Sequence, residues 1–412
     1  MNSTKIDFRK LQNLKGLEIL IVGHGVTGKA LEQFCLKLGA EVFITDFKEL
    51  ELKNFIEHSR LKDYEFDLCL KSPGVPWNDK AIEYCKLKKI QISGEIELVS
   101  SFTNIPIIAV TGTNGKSSVV NMISHGFDLV NKKHFLGGNW GVPFSTIIEN
   151  KYKDIEFAIL ELSSFQLELV ESFCADYVLF TNLHPHHMER YEKFEDYRDA
   201  KLKVAKNAGV TITHKEYKSL FKASEVAEDL GGFPWSEMRV KGEHNQENFL
   251  LVCRLFKILN ISQEAINENI RKFPGIKYRL EFIREHSGVR YFNDSKSTSL
   301  EASLTALKSF SLKERQNLKL LLGGKPRSKD VSDFTQILNF LKQEQIYLYG
   351  ESAVLLKEIF PQSHLFESLK ESFDAIKKTD GIVLLSPGFS SYDQYQNFEK
   401  RGEEFSLLVK DI

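Results

Sequence analysis

Ala109-Val110-Thr111-Gly112-Thr113-Asn114-Gly115-Lys116-Ser117-Ser118 follows the apolar run Ile105-Pro106-Ile107-Ile108 and leads into Val119-Val120-Asn121-Met122-Ile123. An apolar strand, a glycine turn and a helix in that order form the frame of a phosphate-cradling loop. Glycines let backbone N–H groups converge on phosphate oxygens, and the helix N-terminus adds partial positive charge. Lys116 supplies a full cation and Ser117 a hydroxyl for Mg²⁺. Gly112, Thr113, Asn114, Gly115 and Ser118 complete the nucleotide loop. It is not a full Walker A sequence, because Val110 stands where the first glycine would fall. A serine-capped glycine turn before an ordinary helix is the plainer alternative. It leaves the register of Lys116 and Ser117 with the glycines unexplained.

Composition narrows the setting. The chain has 412 residues, 42% of them hydrophobic and 27% charged, which predicts a multidomain globular protein. Lys and Arg number 55 against 56 Asp and Glu, so charge gives no nucleic-acid footprint. No apolar run approaches the length of a membrane span, and the N-terminus shows no signal region. Cys35, Cys69, Cys85, Cys174 and Cys253 form no CxxC pair and read as reduced thiols. A cytoplasmic monomer is expected, with small-molecule substrates, no nucleic-acid partner and no membrane insertion.

The first hundred residues alternate strand and helix. Leu17–Val22 is a strand, followed by Gly23-His24-Gly25-Val26-Thr27-Gly28 and a helical pattern through Leu38. A second strand ends at Asp46, placed where a dinucleotide-binding domain holds a ribose. Phe66–Lys71 is a strand ending in Ser72-Pro73-Gly74-Val75-Pro76. By pattern alone, NAD, a nucleotide-diphosphate substrate and an unliganded turn all remain open.

Beyond the phosphate loop, Phe157–Leu160 is a strand ending at Glu161, an acid placed to hold Mg²⁺ beside phosphates. Tyr177–Phe180 ends at Thr181-Asn182, before Leu183-His184-Pro185-His186-His187-Met188. The spacing and Pro185 argue against a dedicated zinc site. One histidine serving a metal or phosphate fits better. Lys201 follows, and a solvated helix lysine is the ordinary reading of it.

The Thr111–Ser118 loop resembles the ATP loop of the Mur ligase family. Leu160-Glu161-Leu162-Ser163-Ser164-Phe165-Gln166-Leu167-Glu168 is also similar to that family, and the likeness runs over nearly the whole chain. It implies an α/β protein of three domains. A Rossmann-like domain over residues 1–99 binds the UDP part of a substrate. A central P-loop ATPase-type parallel-sheet domain over 100–275 binds ATP. A Rossmann-like C-terminal domain over 276–412 binds an amino acid.

The resemblance also implies roles. Gly25, Val26, Thr27, Asp46, Ser72, Pro73 and Gly74 would hold uridine and diphosphate. Asn139 and Ser163 would hold the muramoyl-alanine arm. Ser117 and Glu161 would carry one Mg²⁺, and His187 with a CO₂-carbamylated Lys201 a second. Asn245 and Asn248 would face adenine. Arg279 would reach ATP phosphate, Asp294 the nucleotide, and Lys296, Thr298, Arg327, Ser391, Tyr392 and Phe398 the incoming amino acid. Lys116, His187, Lys201 and Arg279 would be the catalytic set.

The implied reaction is ATP-dependent addition of D-glutamate to UDP-N-acetylmuramoyl-L-alanine through an acyl phosphate, in peptidoglycan precursor synthesis. One departure stands out: His184 and His186 occupy positions where relatives of this type carry a hydroxyl residue and Asp. Another Mur-type or folylpolyglutamate synthase-like ligase is the nearest alternative. An NAD-dependent dehydrogenase would leave the phosphate loop and the Lys201 segment without a task.

Overall fold

The computed structural model describes residues 5–188, 190–229, 231–240, 242–326, 328–376 and 380–412. Its contacts divide the chain into two compact units, Met1–Gly232 with Glu247–Asn269, and Phe233–Gln246 with Ile270–Ile412.

The first unit holds two parallel sheets. Strands β1 (Glu18–Val22), β2 (Glu41–Thr45), β3 (Leu68–Lys71) and β4 (Gln91–Ser93) form a sheet of order β2-β1-β3-β4. Ile19, Leu20, Ile21, Leu68, Cys69 and Leu70 are fully buried, as expected for parallel strands covered on both faces. Helix Val26–Lys37 crosses from β1 to β2 and buries Gly28, Leu31, Phe34 and Cys35. The register pairs Val22 with both Thr45 and Lys71. Gly23, Asp46 and Ser72, each one residue further on, are therefore neighbours at one edge. Ligands in such sheets bind at that edge.

The second sheet of this unit contains β5 (Ile107–Thr111), β6 (His134–Gly138), β7 (Phe157–Glu161), β8 (Tyr177–Phe180), β9 (Val210–Thr213) and β10 (Glu225–Val226). Their order is β10-β9-β8-β5-β7-β6. Val110 pairs with Glu161, Glu161 with Gly138, and Thr111 with Phe180. The carboxyl ends of β5, β6, β7 and β8 thus gather beside the phosphate loop. One apolar core containing Ile19, Phe34, Val99, Ala109, Phe135 and Leu160 runs through both sheets.

Two buried acids fasten the joint between the sheets. Glu95 accepts from the backbone N–H and hydroxyl of Ser145 at 2.9 and 2.7 Å. Glu97 accepts from the N–H groups of Glu171, Ser172 and Phe173. Burial pushes the Glu95 carboxyl up to about 7.

The second unit contains β11 (Glu281–His286), β12 (Val289–Asn293), β13 (Leu318–Gly323), β14 (Ile346–Tyr349), β15 (His364–Leu365) and β16 (Gly381–Gly388). Their order is β11-β12-β16-β13-β14-β15. β11 pairs antiparallel with β12, and the other pairs are parallel. Ser287 and Gly288, with φ of 50° and 80°, make the two-residue hairpin between β11 and β12. β12, β16 and β13 are adjacent, so the loops leaving Asn293, Gly388 and Gly323 share one edge. The chain is α/β throughout its three sheets, as its strand–helix alternation predicts.

Candidate active site

The phosphate loop leaves β5 through Gly112 at φ 143° and enters helix Lys116–Leu129 through Gly115 at φ 83°. Neither position has room for a side chain. A Cβ on Gly112 would lie 2.0 Å from Thr181 Oγ1, and one on Gly115 would lie 2.5 Å from Asn248 Oδ1. The turn is braced from β8 and its following loop. The Thr113 N–H donates to the Asn182 carbonyl at 2.9 Å, and the Asn114 N–H to Asn182 Oδ1 at 2.8 Å. Thr181 Oγ1 donates to the Asn114 carbonyl at 2.6 Å.

Lys116 Nζ folds back on the carbonyls of Gly112 and Thr113 at 3.0 and 2.7 Å. Ser117 is buried in the first helical turn, and Ser118 follows it there.

Two further groups converge on this loop. Lys201, in helix Phe194–Leu202, is buried; its Nζ donates to the Gly112 carbonyl at 2.6 Å and sits 4.8 Å from the Tyr197 ring centroid. Burial, and then the charge of Lys116, bring its ammonium down to about 7. Glu161 is buried at the end of β7; its Oε1 accepts from Asn139 Nδ2 at 2.7 Å, while its Oε2 has no hydrogen-bond partner. A buried carboxylate oxygen left unmatched is costly unless a cation or donor completes it.

That oxygen and the Ser117 hydroxyl fit a hard divalent cation. Among the described residues no group of three or more His, Cys, Asp or Glu side chains forms a metal cluster. A cation here would take most of its ligands from phosphate oxygens and water, as Mg²⁺ ordinarily does.

His187 lies on the segment that follows β8. Its backbone is left-handed, φ 58°, and its ring centroid lies 4.0 Å from that of His186 and 4.9 Å from that of Phe165. The His184 N–H donates to Thr113 Oγ1 at 2.9 Å, which ties the histidine segment to the phosphate loop through backbone.

The edge of the β1–β4 sheet opens into a cavity of about 990 Å³. Gly25, Val26, Thr27, Asp46, Ser72, Pro73, Gly74 and Asn139 all line it. Asp46 braces the turn after β1 against its own loop: its carboxylate accepts from the N–H groups of His24 and Lys48 at 2.8 and 3.1 Å. Ser72 Oγ donates to the Gly23 carbonyl at 2.7 Å. Ser163 serves as N-cap of helix Ser164–Leu167 in a reciprocal capping box with Gln166, and Gln166 reaches the cavity wall.

Sequence reasoning missed an anchoring network on this wall. Glu168 accepts from Trp77 Nε1 at 2.7 Å, Arg190 Nη2 at 3.1 Å and the Tyr191 hydroxyl at 2.5 Å. Arg190 Nη1 donates to the Pro73 carbonyl at 3.0 Å, and its guanidinium lies 3.8 Å from the Phe165 ring centroid. The Ser72-Pro73-Gly74 turn is thereby fastened to the histidine segment. The Leu183–Tyr191 segment carried the signal in its Arg190-Tyr191 pair, but nothing local names their partner.

Asn248 is buried against Gly115, and Asn245 lies three residues earlier on helix Glu243–Ile258. In the second unit, Asp294 is buried at the end of β12. It accepts from the Leu280 N–H at 3.0 Å and from the hydroxyls of Ser297 and Ser386 at 2.5 and 2.7 Å. Burial raises its carboxyl to about 6 against those hydrogen bonds. Arg279 is exposed, between Tyr278 and Leu280, both left-handed. Lys296 Nζ lies 5.7 Å from the Phe398 ring centroid, Thr298 is half-buried, Ser391 is buried and Tyr392 is exposed. Arg327 lies outside the described residues.

Comparison with known proteins agrees with this arrangement. Residues 110–228 match the Mur ligase middle domain. The UDP-N-acetylmuramoylalanine–D-glutamate ligase of Alkaliphilus metalliredigens is 30% identical, covering 97% of this chain and 99% of its own. The enzyme of the same name from Desulfatibacillum aliphaticivorans is 31% identical over the same shares. Among solved structures, the UDP-N-acetylmuramate–alanine ligase MurC of Thermotoga maritima superposes with a TM-score of 0.58 at 19% identity, covering 96% of this chain and 99% of that one. The phosphate loop, the acid at the end of β7 and the whole-length similarity lead to one conclusion: the chain belongs to the Mur ligase family, among the UDP-N-acetylmuramoylalanine–D-glutamate ligases.

Proposed function

We propose that this chain joins D-glutamate to the L-alanyl carboxylate of UDP-N-acetylmuramoyl-L-alanine, with ATP converted to ADP and phosphate. It does so as a cytoplasmic monomer in peptidoglycan precursor synthesis. One observation carries this reading: Asn139 lines the 990 Å³ cavity and donates to Glu161 beside the phosphate loop. A substrate whose nucleotide end lies at Gly23–Thr27 and Asp46 thus has the phosphate loop within the same unit.

The reaction follows from that pairing. A carboxylate oxygen of the acceptor attacks the γ-phosphorus, and the bond from that phosphorus to ADP breaks. The amine of D-glutamate, in its neutral form, then attacks the acyl carbon. The tetrahedral species loses phosphate, and the ammonium proton passes to solvent. Phosphoryl transfer of this kind depends on positioning and charge neutralisation more than on covalent help. Lys116 and the loop N–H groups supply fixed positive charge to the phosphates.

Ser117 and Glu161 would hold Mg²⁺, which neutralises phosphate charge when bound. His187 and Lys201 are assigned to a second cation. With its ammonium near 7, Lys201 presents the neutral amine that addition of CO₂ requires. Asn245 and Asn248 are assigned to adenine, Arg279 and Asp294 to the nucleotide phosphates and nucleotide, and Lys296, Thr298, Ser391, Tyr392 and Phe398 to the amino acid.

Phosphate release measured with UDP-N-acetylmuramoyl-L-alanine, ATP and Mg²⁺ against a panel of amino acids tests the assignment. Release dependent on D-glutamate is expected. Release dependent on a different amino acid, or none with any, refutes it.

A further inference from the structure

Arg401 is the largest fully buried side chain among the described residues. It stands in the first turn of helix Phe398–Lys410, which Asn397 caps. Its Nε donates to Ser295 Oγ at 3.0 Å, and its Nη2 to the carbonyls of Ser295 and Phe389 at 2.9 and 3.1 Å. Its Nη1 is buried without a hydrogen-bond partner. Gly324 packs over that nitrogen: a Cβ there would lie 3.1 Å from Nη1 and 2.3 Å from the Ser390 carbonyl. Ser295 Oγ in turn donates to the Phe398 carbonyl at 2.9 Å.

One guanidinium therefore ties together the loops that leave β12 and β16, with the β13 loop packed against it at Gly324. Those loops, with the start of the helix, carry Lys296, Thr298, Ser391 and Phe398. Every acceptor that Arg401 reaches is neutral. Burying a charge on neutral acceptors is costly, and a neutral side chain could brace carbonyls more cheaply. A buried cation hydrogen-bonded only to neutral acceptors adds to the positive potential at the nearby loop edge, where low dielectric lets it act at a distance.

We infer that Arg401 is a positioning residue for the acidic amino acid substrate. It sets the loops after β12 and β16 in register, and its charge favours the dicarboxylate over neutral competitors. This inference rests on the assignment of those loops to D-glutamate.

Arg401→Gln removes the charge, and Arg401→Lys keeps it without the planar fork. Steady-state constants for all three substrates are measured on the full chain, with D-glutamate-induced thermal stabilisation as a second readout. Arg401→Gln is expected to raise the KM for D-glutamate about tenfold or more, with the KM values for ATP and the UDP substrate within about twofold, and Arg401→Lys to fall between. A folded Arg401→Gln with unchanged KM for D-glutamate overturns the inference. If that variant does not fold, Ser295→Ala carries the test, with about a threefold rise expected and no change overturning it. Lys296→Met is run alongside. If it leaves the KM for D-glutamate unaltered, the loop assignment itself fails. If it raises that KM while Arg401→Gln does not, only the role of Arg401 fails.

Discussion

The side-chain amines of Lys116 and Lys201 donate to the same acceptor, the carbonyl of Gly112, at 3.0 and 2.6 Å. Burial first, and then the charge of Lys116 on the shared carbonyl, bring Lys201 down to about 7 from an ordinary 10.5. Below the folded value the group is charged in both the folded and unfolded chain, and its burial cost is fully present. Between about 7 and 10.5 the unfolded chain holds the extra proton, so this group's contribution to stability rises with pH. Lys201→Met should therefore melt higher than the parent at about pH 6, lose that pH-dependent rise, and lose activity. Thermal melts across the range check it; parallel pH profiles for the two proteins would count against the account.

Glu95 shows the opposite sign. Its carboxyl titrates near 7 in the folded chain against an ordinary 4.5, because burial outweighs its hydrogen bonds from Ser145. The folded chain holds the extra proton between those values, so this group's contribution falls as pH rises through them. Glu95→Gln should show a flatter stability profile over that window. Asp294 adds a fall of the same sign up to about 6, so the informative quantity is the difference between parent and variant. No difference in slope would refute the assignment.

Glu168 gathers three donors on one carboxylate. Glu168→Ala leaves the Trp77, Arg190 and Tyr191 donors unmatched, at a cost on the order of 3 kcal/mol. It also releases the Arg190 brace on Pro73. The expected outcome is a lower denaturation midpoint, a shift in Trp77 emission and about a tenfold rise in the KM for the UDP substrate, with the KM for D-glutamate nearly unchanged.

Gly112 tests the phosphate loop without removing a functional group. Gly112→Ala places a methyl 2.0 Å from Thr181 Oγ1 at a φ of 143°. The loop must shift, because the neighbours on that side include the Asn182 backbone. ATP binding measured by calorimetry should weaken at least about tenfold, while binding of the UDP substrate persists. Equal loss of both would indicate a folding defect instead.

The fold class was legible because apolar runs stop at glycine, serine or acid residues, and strand–helix alternation leaves few topologies. Leu17–Val22 and the apolar run Ile105–Ile108 read as strands for that reason, and most candidate residues stand just beyond such ends. The β11 strand and its Ser287-Gly288 hairpin into β12 went unread, because the alternation in β11 is weak. The Glu168–Arg190–Trp77 network and the Arg401 clamp were not legible at all. Each joins segments distant in sequence through side chains, and no local periodicity announces such a contact. The grouping of Phe233–Gln246 with the last unit was likewise hidden, being a matter of packing rather than pattern.

The central claim is that the acceptor carboxylate itself takes the phosphoryl group. UDP-N-acetylmuramoyl-L-alanine labelled with ¹⁸O in its alanyl carboxylate is turned over with ATP and D-glutamate, and the released phosphate is weighed by mass spectrometry. An acyl phosphate that collapses to amide transfers one labelled oxygen to each phosphate. Phosphate free of label, formed while the amide product accumulates, would contradict the account.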